Sequence, residues 1–550
     1  MASVTGGDLI VKALKALGVE HVFGIVSVHN IPIYDAILRD GAIKPIDARH
    51  EQAALHAADG YARATGRLGV AITSTGPGAA NAVPGLFEAG FASSRVMMIT
   101  GQAETTWYGK GKGALHEAEN QLDMLRTVCR RVESPRSTQE LIPAILGAAR
   151  DVLTGRPQPA AVEIPIDLQY ATMADEAIVF NRPEVIAPES KSLDDAARRI
   201  GDTGKRVIWA GGGVISAGAS AQLQALAEAL QAPVFTSPNG RGAIAEDHPL
   251  AMGPLTAQLT MQPIITDADV VIAVGTRFQA GATAMFNLTF PGKLVHIDAD
   301  PAVIGRNYRA DVAVVGDARV ALEGILSRLN AAAGDSVYLA NAQAIRDAMR
   351  KTIREQIGVD HESIMDCIRE LLPRDGNIVR DATVPAYLWG NRLLPILQPN
   401  TSLSTTSAAI GPGLPLAIGA AVGTKKKTVV IQGDGGFMLS IGELATAVQY
   451  SLPVIVLLFN DKGYGVLRGI QRQRFEGRNI GVELAVPDFV KVADAMGMLG
   501  LKAASASEFR GAFTQALAHA GPVLIEIDML KLVPMQGLGG TPQGKASSRV

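Results

Sequence analysis

Asp434 stands in the stretch Gly433-Asp434-Gly435-Gly436, where the apolar run VVIQ ends. A lone carboxylate among glycines is either an ordinary tight turn or a metal ligand whose small neighbours let a bulky anion approach the backbone. Twenty-seven residues on, the next apolar run closes in FNDKGYG, which offers Asn460 and Asp461. One helix and one strand between the two stretches bring both turns to the same sheet edge, where open α/β sheets bind ligands. Oxygen donors from adjacent turns, with a carbonyl from a glycine-containing loop, suit Mg²⁺, which takes few protein ligands and completes its octahedron with phosphate oxygens. A metal-bound diphosphate held by glycine-loop amides at a helix N-terminus follows.

Three other side chains could carry chemistry. Glu51 opens a small-residue helix in RHEQAALHAADGYARATG. Taken alone, it is an acid favoured by the helix dipole in a first turn. His29 follows the first apolar strand in GIVSVHN, and His116 lies in GALHEAENQ. Imidazole is the side chain suited to proton transfer near neutral pH. His50 and His56 are better suited to packing or local hydrogen bonds.

The elements that must position these groups alternate strand and helix along the chain: GVAITST, VMMIT, AAVEIP, RVIWAG, VVIAVG, KLVHID, TVVIQG and VIVLLFN are separated by helical stretches. Such alternation predicts parallel sheets covered by helices. Two polar, helix-poor stretches, near 180–192 and 330–343, suggest boundaries. The expected architecture is α/β with three doubly wound parallel-sheet domains at 1–180, 190–330 and 345–535, and a tail at 536–550. The first and third domains carry matching strand–glycine turn–helix–strand units, with TGPG (75–78) in one and GDGG (433–436) in the other. One fold used twice, with a carboxylate in only one turn, implies divided labour.

Bulk properties exclude several classes. Of 550 residues, 47% are apolar and 19% charged, which supports large cores rather than disorder. A net charge of −2 with scattered Lys and Arg argues against nucleic acid or an anionic membrane as main partner. Cys129 and Cys367 form no metal-type spacing and suit a reducing compartment. The first apolar-periodic stretch contains two lysines and is an amphipathic helix rather than a secretion signal. No apolar run reaches the roughly 18 residues of a membrane span, so a soluble, cytoplasmic protein is expected.

Gly-Asp-Gly followed by an Asn-Asp pair resembles the signature of thiamin diphosphate (ThDP) enzymes, which runs from GDG to NN. The resemblance implies that Asp434, Asp461 and the carbonyl of Gly463 hold Mg²⁺, with Asp461 in a place where the family usually has Asn. The segment from Arg49 to Asn81 resembles RHEQAA…GYARATG…GVA…SGPG…N of acetolactate synthases and their relatives. HIDADPAVIGRN (296–307) and VPDFVKVADAMG (486–497) extend the likeness over nearly the whole chain. It makes Glu51 the carboxyl group that activates the cofactor at pyrimidine N1′. It also places Thr75, Gly76, Pro77 and Asn81 on the pyrimidine side, and Thr383, Val384, Ile410, Gly433, Gly435, Gly436 and Tyr464 on the diphosphate side. Ile410, in AIGPGLP (409–415), takes the place of the apolar residue that bends thiamin. In this family the two cofactor ends lie on different subunits, which implies a homodimer at least, with a tetramer expected.

The branch is less sharply marked. His29 resembles the histidine that faces the reacting carbonyl in benzaldehyde lyase and cyclohexanedione hydrolase, and relatives place Gln or His near His116. Acetolactate synthases carry a tryptophan where this chain has Ile470, and GMHG where it has MGPLTAQ (252–258). WAGGGVIS (209–216) lacks GxGxxG spacing and suits a glycine-rich strand end, so FAD is left open without support. The paired histidines of pyruvate decarboxylases reduce to Leu115-His116. The expectation is a ThDP- and Mg²⁺-dependent C–C lyase or carboligase acting on 2-oxo acids or 2-hydroxy ketones through a C2 carbanion and enamine. The alternatives are a simple 2-oxo acid decarboxylase, a 2-hydroxyacyl-CoA lyase, or a flavin-dependent enzyme akin to pyruvate oxidase.

Overall fold

The computed structural model of the chain describes residues 3–330 and 333–536. Three six-stranded sheets, each parallel throughout, follow one another along the chain. A short antiparallel pair, Ser3–Thr5 with Thr172–Ala174, ties the start of the first unit to its end. The inner strands Gly69–Thr73, Val96–Gln102 and Val454–Asn460 are buried along their whole length. Both faces of such strands are covered by helices, which is why the sequence reads there as apolar runs rather than alternation.

The first sheet is built from His21–Gly24, Lys44–Asp47, Gly69–Thr73, Val96–Gln102, Arg131–Glu133 and Ala160–Pro165. Numbered by occurrence, they lie in the order 2-1-3-4-6-5. The last sheet, built from Asn377–Arg380, Ser402–Ser404, Thr428–Gly433, Val454–Asn460, Leu499–Ala503 and Val523–Asp528, repeats that order. The middle sheet differs: its six strands, from Arg206–Ala210 to Val312–Val315, lie in the order 3-2-1-4-5-6. The likeness of the two outer units therefore extends from sequence to topology.

The outer sheets share one apolar core through two helices, Glu51–Thr65 and Gly413–Thr424. Glycines make the approach close: a Cβ on Gly60 would stand 2.1 Å from the Leu416 carbonyl oxygen, and one on Gly419 1.8 Å from that of Ala57. Helix Gly6–Ala16 carries Lys12 and Lys15 and opens with a capping box between Thr5 and Asp8. Both cysteines are free and buried. No helix among the described residues is long and apolar enough to cross a membrane.

One expectation needs correction. The stretch near 330–343 is not helix-poor, because a helix starts at Ser336 and runs to Leu371, kinked at Gly358, whose φ is 77°. Asp335 caps it by accepting from the Tyr338 amide, 2.9 Å away, and the polar composition masked that cap. The stretch near 180–192 is irregular up to the helix that opens at Ser190. The expected tail lies outside the described residues from position 537 on.

Candidate active site

Strands Thr428–Gly433 and Val454–Asn460 are direct parallel neighbours, with Gly433 opposite Phe459. Their carboxyl ends therefore release Asp434 and Asp461 side by side. Asp434 is fully buried. Its Oδ2 accepts from the Gly463 amide at 2.8 Å, while its Oδ1 has no hydrogen-bond partner. An orphaned carboxylate oxygen in the interior is costly unless something satisfies it. Burial pushes the Asp434 carboxyl well above its usual range, and the charge of Asp461 pushes it further. Burial likewise raises the carboxyl of Asp461. A divalent cation relieves both effects at once.

The surrounding groups leave room for an anion. Thr383, Val384, Ile410, Gly433, Gly435, Gly436, Asp461, Gly463 and Tyr464 all line one cleft, with about 430 Å³ of empty space including open solvent. A Cβ on Gly435 would strike the Tyr464 ring at 2.6 Å, and one on Gly433 the Thr383 hydroxyl at 2.7 Å. Among the described residues no three His, Cys, Asp or Glu side chains gather to hold a metal. Two carboxylates and a carbonyl leave the remaining positions to non-protein oxygens, which fits Mg²⁺ beside a diphosphate.

Arg468 was not singled out by the sequence. Its guanidinium lies 3.2 Å from Asp461 Oδ2 and pairs with both oxygens of Glu483, at 2.8 and 2.9 Å. It balances the extra charge that Asp461 brings in place of Asn. Its spacing from Asp461 is an ordinary surface pattern, so only the folded loop reveals the pairing.

The second cluster sits on the first sheet. Glu51 is the first residue of its helix, capped by His50, whose ring accepts from the Gln52 amide at 3.2 Å. The Asn81 side-chain Nδ2 donates to Glu51 Oε2 at 3.0 Å, and a Cβ on Gly78 would lie 3.1 Å from Glu51 Oε1. Thr75 and Gly76 both donate to Gln121 Oε1, at 2.9 and 2.8 Å. Gln121 in turn donates to buried Glu163 at 2.9 Å. Pro77 opens the helix Pro77–Ala92 that carries Asn81. His56 is buried with neither ring nitrogen hydrogen-bonded, in keeping with packing.

His29 and His116 come together, their ring centroids 5.3 Å apart. His29 is buried, and that burial, followed by its neighbour His116, lowers its pKa and so favours the neutral ring. The pair abuts the glycine turn: a Cβ on Gly76 would stand 2.5 Å from the His116 carbonyl oxygen. The Glu51 cluster is anchored to the last sheet, because the Arg49 amide donates to Glu443 and the Asp47 amide to the Tyr450 hydroxyl, both at 2.9 Å.

In the middle unit, the glycines of WAGGGVIS serve close backbone packing: a Cβ on Gly211 would strike the Gly275 carbonyl oxygen at 2.0 Å. A cavity of about 900 Å³, open solvent included, lies there beside Arg95, Arg156, Arg277 and Asp298. It faces the point where the 3-2-1-4-5-6 order reverses, a usual ligand position in such sheets.

Comparison with known proteins shows the family of the chain. Residues 4–124 match the N-terminal TPP binding domain of thiamine pyrophosphate enzymes, 193–325 the central domain and 385–527 the C-terminal TPP binding domain. A probable acetolactate synthase large subunit of Methanocaldococcus jannaschii is 33% identical over 97% of this chain and 94% of its own length. A probable 2-ketoarginine decarboxylase of Pseudomonas aeruginosa is 34% identical over 96% and 94%. The acetolactate synthase isozyme 3 large subunit of Escherichia coli is 30% identical over 98% of both.

Proposed function

The chain belongs to the thiamine pyrophosphate enzyme family, in its acetolactate synthase branch, and from that premise we propose that it is a Mg²⁺-dependent C–C lyase or carboligase acting on 2-oxo acids or 2-hydroxy ketones. The observation that carries this reading is the orphaned, buried oxygen of Asp434, whose neighbours Gly433 and Gly435 line a cleft together with Asp461 and Gly463. Asp434, Asp461 and the Gly463 carbonyl would hold the metal, and Thr383, Gly433, Gly435, Gly436 and Tyr464 would flank the diphosphate. Val384 and Ile410 would pack against the thiazolium. Bound thiamin diphosphate supplies a nucleophilic carbon that adds to a substrate carbonyl and accepts the electrons of the breaking C–C bond.

Glu51, steadied by Asn81, holds the proton that governs the pyrimidine, with Thr75, Gly76 and Pro77 shaping its turn. His29, kept neutral beside His116, takes or returns the proton of the substrate hydroxyl. His29→Ala is expected to lower turnover by roughly 10–10³-fold at unchanged ThDP affinity. Undiminished turnover with a lower melting temperature would leave it a packing residue. The proposed domains span 1–180, 190–330 and 345–535, the last boundary falling within the helix Ser336–Leu371, and the working assembly is a cytoplasmic homodimer or tetramer.

Incubating ThDP-loaded protein with 2-oxo acids and acyloins, followed by circular dichroism and mass spectrometry, tests the reading. A covalent cofactor adduct with one of these substrates is the expected result, and no adduct with any of them overturns it. Similarity to a decarboxylase at the same level as to synthases keeps simple decarboxylation as the second reading. The cavity beside Asp298 is where a flavin would be sought, and a yellow chromophore in the purified protein would move the reading to a flavin-dependent enzyme.

A further inference from the structure

Ile410 rides on a segment whose backbone turns to positive φ at two points. Gly411, at +102°, does so without cost, but Ala408, at +64°, holds a conformation that persists only where neighbours over-determine it. Two buried carboxylates from different sheets do so. On one side, Asp381 accepts from the amides of Gly411 at 2.9 Å and Gly413 at 3.0 Å, and from Gln432 at 2.7 Å. On the other, fully buried Glu88 accepts from the amides of Thr406 at 2.6 Å and Ser407 at 3.0 Å, and from the Ser407 hydroxyl. Between these anchors Ile410 stands against the metal-bearing turn, since a Cβ on Gly436 would lie 3.5 Å from its own.

Glu88 belongs to the first sheet's helix Pro77–Ala92. It lies seven residues from Asn81, about two helical turns, so both point from nearly the same side. One end of that helix therefore touches Glu51, and the other grips the Ile410 segment. Arg63 supplies the counter-charge, 3.8 Å from Glu88, and donates to the Ser404 carbonyl at 3.0 Å.

We propose that Glu88 is a positioning residue for the cofactor: with Asp381 it fixes the segment Thr405–Gly413, so that Ile410 is held against the metal-bearing turn from the opposite sheet. This deepens the ThDP reading and rests on it.

The test compares wild type with Glu88→Gln, and with Ser407→Ala should the first variant fold poorly. Binding of Mg²⁺–pyrophosphate, which needs only the metal and glycine loops, should be unchanged. Exchange of the C2 proton on bound ThDP should fall by about 10²-fold in Glu88→Gln, the usual cost of a misplacement near 1 Å, and by less in Ser407→Ala. Hydrogen exchange should speed up at the Thr406 and Ser407 amides while those of Gly411 and Gly413 stay protected. Wild-type C2 exchange per bound cofactor, with only a lower melting temperature, would overturn the proposal and leave Glu88 a stabilising ion pair. If wild type binds no ThDP, the functional reading fails instead, and the amide-exchange pattern alone then decides whether Glu88 clamps the segment.

Discussion

The glycine turns at 75–78 and 433–436 occupy corresponding places in two sheets of identical strand order, yet they can hold different things. In the last sheet the second residue, Asp434, has room for a carboxylate and aims one oxygen at no protein partner. In the first sheet the second residue, Gly76, has φ of +56° and lies under the His116 carbonyl, where no side chain fits. Its amide is spent on Gln121 rather than on an anion. A fold repeated within one chain can thus divide a cofactor's two ends, because the backbone at one position decides which turn may carry a charge.

The sharpest way to break this contrast is Asp434→Ala. It should reduce Mg²⁺-dependent ThDP affinity by more than the roughly 10²-fold that losing a supporting contact to a metal ligand costs, with the fold intact. Calorimetry showing unchanged affinity would remove the metal from this turn. On the opposite turn, Glu51→Gln should leave binding in place and slow C2 proton exchange about 10²–10⁴-fold. Wild-type exchange rates, followed by NMR on quenched cofactor, would take Glu51 out of the mechanism.

Writing the charge into the wrong turn sharpens the comparison. Gly76→Asp should cost about 1–3 kcal/mol of stability through backbone strain and crowding against His116. An unshifted denaturation midpoint would show that the first turn tolerates a side chain after all. The smallest effect belongs to Asp461→Asn, which restores the family's usual residue. With Arg468 still paired to Glu483, ThDP affinity should stay within about tenfold of wild type. Complete loss of binding would mean that this loop depends on the Asp461–Arg468 pair.

The frame of the molecule was open to inspection in the sequence. Buried parallel strands must be apolar throughout, so TVVIQG and VIVLLFN announced themselves. Glycines at their ends marked the turns because a Cβ would collide there. The supporting groups were hidden for the opposite reason. Glu88 and Thr406 are 318 residues apart, and a buried acid on an alanine-rich helix has no local pattern. Gln121 and Arg468 likewise matter through partners that only tertiary packing supplies. The helix from Ser336 was obscured by polar residues whose exposed side needs no apolar stripe.

Gly60 and Gly419 bring helices Glu51–Thr65 and Gly413–Thr424 into backbone contact. Two cylinders meeting without cushioning side chains cannot roll or slide past one another. That seam works as a rigid gauge, fixing the separation of the first and last sheets within one chain. Helix Gly465–Arg474, beside the cleft and without one buried residue, stands outside that seam and is held instead by polar ties, Arg468 to Asp461 and Glu483 and Gln471 to Ile480.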